Sequence, residues 1–360
     1  MISTNLEHQV RVKTFNEVYS SLSARRRYEV WFVRLGMADG SGAWWFRYLL
    51  LNPGRDGCLD GQGANDEHSG EGHDPRAMPI QVWATWFPVE GMPQSFIQGF
   101  SQAYLDLSAR GRNPFHLIIG ANQIEENSCR GVLNVGGHKL DWDLRYRSSF
   151  RVTLSNKGWI GFSRTPHSDA VFWGHVTLDG RRFEGQPLGY GLQGHNCGYR
   201  HRGFWTWAHA YFLRADGPPS TLEALTYDMP FGLVFRKAVL WHCGKQHVFK
   251  HWMPSANSLS VGPPIHQNDP SQEFRWSFRC SSQSSFRLDV AVEGGAPSLH
   301  RLPYFKTNCS GSFEVVNNSL AKAFVRLERV GALAEELVTS TGAVLERAAA
   351  VKSGTLNRRV

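Results

Sequence analysis

Apolar and polar residues alternate with a period of two along much of the chain, the spacing of a half-buried strand. In Lys139 to Arg147, Leu140, Trp142, Leu144 and Tyr146 fall on one face, and Lys139, Asp141, Asp143, Arg145 and Arg147 on the other. Gly136-Gly137 separates that strand from Gly131–Val135 as a hairpin turn would. Asp179-Gly180 divides Val171–Leu178 from Arg181–Glu184, a pairing whose positive-φ turn residues favour a tight hairpin. Arg275–Arg279 with Phe286–Val292, and Val239–His242 with His247–Phe249, read as two further hairpins. Helical spacing is confined to Phe15–Leu22; Leu333–Ala348 fits a helix or a terminal hairpin around Thr341-Gly342. So many short strands joined by turns predict an all-β protein of antiparallel barrels or sandwiches.

Two long segments, Asn52 to Met78 and Pro254 to Ser271, read as loops. Ala215-Asp-Gly-Pro-Pro-Ser220 is the expected boundary between two domains. The expected division is an extension over 1–24, an N-terminal domain over 25–214 and a C-terminal domain over 221–350.

Composition supports this class. Thirteen Trp and 36 Gly among 360 residues suit pleated aromatic faces and the turns between them. The content of 41% hydrophobic residues excludes intrinsic disorder. A net charge of +8 is spread along the chain, so no nucleic-acid partner is expected, and an anionic membrane surface is the alternative peripheral contact. No apolar run reaches the ~20 residues of a membrane-spanning helix. The first residues lack the basic-then-apolar pattern of a secretory leader, so a cytoplasmic chain is expected. Six cysteines without a CxxC pair are expected as free thiols.

Candidate chemistry concentrates between Gly189 and Phe212. Alternation places Trp205, Trp207, His209 and Tyr211 on one face and Phe204, Thr206, Ala208, Ala210 and Phe212 on the other. The bulky face has apolar bodies and polar tips, as a ligand cavity needs, and the small face suits packing. Gly194-His195-Asn196-Cys197-Gly198 reads as a turn aiming His195 and Asn196 at the same cavity. The competing readings are strand-end capping for this turn and plain hydrophobic core for the Trp face. A zinc set of His195, Cys197, His201 and His209 lacks standard ligand spacing, so no metal is expected.

If the first hairpin sets Trp31 opposite Arg47, then Glu29, Trp31, Val33, Trp45, Arg47 and Leu49 share one face. Glu29 and Arg47 then form an internal ion pair, with Trp31, Trp45 and Arg47 also candidates for the ligand wall. Asp228 beside Tyr227 is a further candidate: a carboxyl against apolar walls has a raised pKa and can protonate a substrate. Its bland reading is a turn aspartate.

At these residues the chain resembles a known family. Tyr28-Glu-Val-Trp31 and Trp44-Trp-Phe-Arg-Tyr48 resemble that family's opening, and Leu140-Asp-Trp-Asp-Leu144 resembles one of its strands. Phe172–Gly180, Gly194–Gly198 and Trp205-Thr-Trp-Ala-His209 resemble its core motifs, with Cys197 standing where the family more often has an aromatic. The family is the lipocalin-like superfamily of hydroxyneurosporene synthase (carotenoid 1,2-hydratase) and the AttH-like proteins, with tocopherol cyclases and fungal Diels–Alderases as remoter members. The resemblance implies two consecutive lipocalin-like β-barrels. It also implies an apolar ligand site and an enzyme without redox cofactor or metal that hydrates, cyclises or isomerises a polyene or terpenoid-like molecule. In that reading His195, Asn196, His209 and Asp228 are catalytic. Trp31, Trp45, Arg47, Trp205, Trp207, Tyr211 and Tyr227 hold the ligand. The alternative is a lipid or terpenoid carrier without chemistry.

Overall fold

The structure is a computed structural model. It describes residues 16, 27–52, 75, 78–100, 105–106, 115–156, 161–199, 201–229, 231, 233–254, 274–282, 286–307, 312–329 and 331–348. Most of segments 52–78 and 254–271 expected as loops lies outside the described residues, as do Cys58 and Cys309.

Two antiparallel sheets follow one another along the chain, and each curls into a nearly closed barrel. The first holds thirteen strands: β1 (Arg27–Met37), β2 (Gly42–Asn52), β3 (Ile80–Pro88), β4 (Gln94–Phe100), β5 (Leu105–Asp106), β6 (His116–Ile119), β7 (Asn122–Glu125), β8 (Ser128–Val135), β9 (His138–Arg147), β10 (Val152–Asn156), β11 (Gly161–Leu178), β12 (Arg181–Glu184) and β13 (Gly189–Gly198). The second holds nine: β14 (Trp205–Phe212), β15 (Ser220–Met229), β16 (Leu233–His242), β17 (Lys245–Pro254), β18 (Phe274–Ser281), β19 (Phe286–Gly294), β20 (His300–Phe305), β21 (Ser312–Arg329) and β22 (Glu335–Ala348). Among the described residues there is no α-helix, and none long and apolar enough to cross a membrane.

The main path of the first sheet runs β4-β3-β2-β1-β13-β11-β9-β8-β7-β6-β5, with β10 and β12 paired to β11. That of the second runs β17-β16-β15-β14-β22-β21-β19-β18, with β20 paired to β21. Strand β14, expected at the end of the first domain, bonds to β15 and β22 of the second sheet. Segment 335–348 is neither helix nor hairpin but one long strand, β22, whose pairing with β21 shifts register around Ala321.

Alternation decides what each barrel encloses. Trp31, Val33 and Leu35 of β1, Trp44, Phe46 and Tyr48 of β2, and Leu140, Trp142, Leu144 and Tyr146 of β9 fill the first interior. Ala208, Ala210 and Phe212 of β14 help to fill the second, with Trp276, Phe278 and Leu345. The opposite faces of β1–β3 and β14–β16 meet in a third apolar layer between the barrels, containing Val30, Phe32, Trp45, Leu49, Trp207 and Val344. Here both faces of a strand are buried, one inside its barrel and one in the seam.

The first hairpin differs from expectation by one residue. Trp31 lies opposite Tyr48, and Arg47 opposite Phe32. The cause is the turn between Met37 and Gly42. Gly40, at φ 76°, donates its N–H to the Met37 carbonyl at 3.1 Å, and Asp39 accepts from the Ser41 N–H at 2.9 Å. A shift of one residue exchanges the faces. Trp31 therefore points into the first barrel, while Trp45 and Arg47 point into the seam, and Glu29 does not pair with Arg47.

Candidate active site

Gly194–Gly198 is strand, not turn, so consecutive residues separate to opposite faces. His195 enters the first barrel, where its Nε2 lies 2.9 Å from Glu29 Oε1, both side chains fully buried. The Trp31 ring stacks on this imidazole at 4.6 Å, and Phe162 meets it edge-on at 4.8 Å. Cys197, beside Glu29 in the register, has its thiol pushed up by burial. Asn196 pairs with Val30 and so takes the seam side, and its Oδ1 has no hydrogen-bond partner among the described residues. His195 and Asn196 therefore serve different compartments.

The seam collects the rest of the predicted aromatic face. Phe32 meets Trp207 edge-on at 5.7 Å, and the Trp45 and Trp207 rings are 6.1 Å apart. Cross-strand register in β14 and β15 sets Glu223 opposite His209 and Leu225 opposite Trp207. Glu223 is the residue that sequence reasoning missed. Its signal was a charge in phase with Leu225 and Tyr227 on a strand whose other phase is Leu222, Ala224 and Thr226.

Glu223 is 1% exposed. Thr165 of β11 donates to its Oε1 at 2.6 Å and the Trp207 indole N–H donates to the same oxygen at 3.2 Å. Its Oε2 has no partner among the described residues. Burial raises the carboxyl from 4.5 to about 7, against the opposing pull of those two donors and of Lys237. At neutral pH a large share of molecules thus carries a proton on Glu223, amid indole and phenyl rings.

His209 donates its Nε2–H to the Ser168 carbonyl at 2.7 Å, leaving Nδ1 as an acceptor. Burial depresses its pKa to about 3, so it stays neutral and exchanges protons poorly near pH 7. Its place suits orientation of a hydroxyl or water. Tyr211 packs against Tyr190 in a tilted ring pair, with centroids 5.2 Å apart.

A second polar group occupies the same seam. The Trp205 indole donates to Glu346 Oε1 at 3.1 Å, and Asn317 donates to Oε2 at 3.4 Å. Arg47 donates to the Tyr304 hydroxyl and lies over the Tyr304 and Trp83 rings at 4.3 and 5.0 Å. Burial raises the Glu346 carboxyl, with Arg47 opposing. Arg47, expected to pair with Glu29, faces Glu346 instead. His201 stacks on Tyr28 at 4.0 Å, and burial takes its pKa to about 3.

Asp228 lies in strand β15, opposite Val234 of β16, and not in the turn expected of it. Its Oδ1 accepts the Phe204 N–H at 3.2 Å, fixing the entry to β14. Neighbouring Tyr227 faces the seam side, with the Arg202 guanidinium 5.0 Å from its ring centre. The four residues weighed as a zinc set disperse. His195 and Cys197 enter the first barrel, His209 bonds to Ser168, and His201 stacks on Tyr28.

No family model matches the sequence, and no curated protein matches it. Among solved structures, the chain is similar to a protein of Nitrosomonas europaea described as an AttH candidate. The two share 14% identity and a TM-score of 0.45, over 95% of this chain and 99% of that one. It is also similar to kievitone hydratase from Nectria haematococca, with 10% identity and a TM-score of 0.49, over 94% and 96% of the two chains.

Proposed function

We propose that this protein is an acid–base enzyme acting on an apolar, alkene-bearing small molecule of the polyene or terpenoid type, and that its reaction takes place in the seam. The observation that carries this reading is Glu223: a fully buried carboxyl, raised to about 7, with one oxygen bonded twice and the other without a partner among the described residues. A free carboxylic O–H among aromatic rings is an arrangement suited to protonating a carbon–carbon double bond. The sequence motifs resembling carotenoid hydratases and their relatives support the substrate class.

The step balances simply. The Glu223 proton forms a new C–H bond with the alkene π electrons, leaving a carbocation and a carboxylate. The Trp45 and Trp207 rings, 6.1 Å apart in the seam, supply aromatic faces that would stabilise the cation. In hydration, water adds to the cation and returns one proton to Glu223, whose raised basicity suits it to this role. In cyclisation or isomerisation, the cation is attacked by a second double bond or loses a neighbouring proton, which Glu223 again receives. His209 Nδ1 and Asn196 Oδ1 are acceptors on the seam side that can orient the water. Tyr211, Tyr227, Trp205 and Arg47 form the outer wall.

The test is proton incorporation from D2O into linear terpenoid and polyene alkenes, followed by mass spectrometry. Wild-type protein is expected to place deuterium at one carbon. Glu223→Gln is expected to lose this by a factor of roughly 10²–10⁴ while still binding, read as Trp fluorescence quenching. Quenching without incorporation in the wild type establishes a carrier instead, and equal incorporation by Glu223→Gln removes Glu223 from the reaction.

A further inference from the structure

A second cluster of chemically competent side chains lies in the second barrel, at the β16–β17 turn. His242 ends β16, Cys243-Gly244 forms a two-residue turn with φ of 49° and 71°, and Lys245 begins β17. Glu335 begins β22 and comes alongside. His242 Nε2 lies 2.5 Å from Glu335 Oε2 and 3.3 Å from Cys243 Sγ. One donor atom from each of the three residues falls within 4.8 Å of the others, the only such group of three or more among the described residues.

The imidazole is pre-oriented. His242 is 3% exposed, and its Nδ1 is bonded to Ser220 Oγ at 2.8 Å. A histidine that ligates a metal through one nitrogen commonly has the other held in this way, which fixes the ring and turns the free lone pair outward. The sulfur and the carboxylate are on exposed side chains, so both can adjust. Around a tetrahedral zinc ion, a nitrogen, a sulfur and an oxygen donor sit roughly 3.5 Å apart. The Sγ–Nε2 separation is already close to that, and the exposed carboxylate has only to retreat by about 1 Å.

We propose that His242 Nε2, Cys243 Sγ and Glu335 form a site for a borderline-soft divalent cation of the zinc class, with its remaining position open to water. The mixed nitrogen, sulfur and oxygen set selects against magnesium and calcium, which take oxygen ligands. Binding releases the thiol proton to solvent as the sulfur–metal bond forms, with no change of oxidation state. Opposing groups are present. Arg214 Nη1 donates to Cys243 Sγ at 2.7 Å and is the group a cation displaces. His247 and Lys245 stand nearby, and burial, with His242 next, lowers the His247 pKa and keeps that neighbour neutral. The site ties the β16–β17 turn to the start of β22 and takes no part in the seam chemistry.

The experiment is zinc titration of chelator-treated full-length protein by calorimetry, together with cobalt(II) absorption. One zinc per chain is expected, and the cobalt form is expected to show a thiolate-to-metal charge-transfer band. Cys243→Ser is expected to abolish that band. Ser220→Ala is expected to weaken affinity about 10–100-fold, and Arg214→Ala to strengthen it. Glu223→Gln is expected to bind zinc as wild type does. Absence of stoichiometric binding, or an unchanged cobalt spectrum in Cys243→Ser, overturns the site. Cys243 is exposed, so loss of fold does not confound that variant.

Discussion

Glu223 carries a proton across a pH range in which an unfolded chain has already lost it. Its folded value is about 7 against 4.5 when unperturbed. Between those values the folded state binds more protons, so stability falls as pH rises through this window. The integrated loss is about 3 kcal/mol at full burial, from ~1.4 kcal/mol per pH unit. Urea titrations of wild type and Glu223→Gln at pH 4.5 and 7.5 are expected to diverge by up to that amount, the variant being less pH-dependent. His209 and His201 act in the opposite direction. Their folded values near 3 lie below the unperturbed 6.5, so their contribution is full above pH 6.5 and is lost as pH falls towards 3. His209→Gln is expected to weaken acid unfolding between those limits, read by near-UV circular dichroism. Trp207, His209 and Tyr211 were legible as one face from alternation alone. What lies beyond that face was not, because one strand cannot say whether its bulky side meets a barrel lumen or a second barrel.

Strands set who meets whom. The alternation of β9 and the tight turn at Asp179-Gly180 were readable because each is local: one face buried, and two residues of positive φ. The first hairpin was not, since its register depends on a turn whose length the hydrophobic pattern leaves open by one residue. Glu29 consequently has His195 of β13 as its neighbour, a partner 166 positions away that no local rule supplies. A double-mutant cycle of Glu29→Gln and His195→Asn is expected to show coupling above about 1 kcal/mol, whereas Glu29→Gln with Arg47→Met is expected to be additive within about 0.5 kcal/mol. Close strand approach is equally specific. A Cβ on Gly191 would lie 1.9 Å from the Arg34 carbonyl oxygen, so Gly191→Ala is expected to lower the melting temperature by several degrees in scanning calorimetry.

The whole molecule is held across its seam by polar bonds as well as apolar contact. Arg34 of the first barrel is fully buried and donates to the carbonyls of Ser319, Thr341, Gly342 and Ala343, where β21 and β22 shift register. Burial brings its guanidinium down to about 9. Arg34→Met leaves those carbonyls without their donor and is expected to cost about 2–4 kcal/mol. Its urea unfolding is expected to split into two transitions when followed by intrinsic fluorescence. The two-barrel class was legible from many short strands and turns. The docking of one barrel against the other was not, because it depends on which outer faces are apolar once both sheets have closed.

The Thr165–Glu223 hydrogen bond joins a donor from one barrel to an acid from the other. Parting the barrels would wet the carboxyl and return it towards 4.5, where it gives up its proton to water at neutral pH. The raised carboxyl thus exists only while the halves are shut, and a chain caught half-assembled holds an ordinary, ionised glutamate at this position.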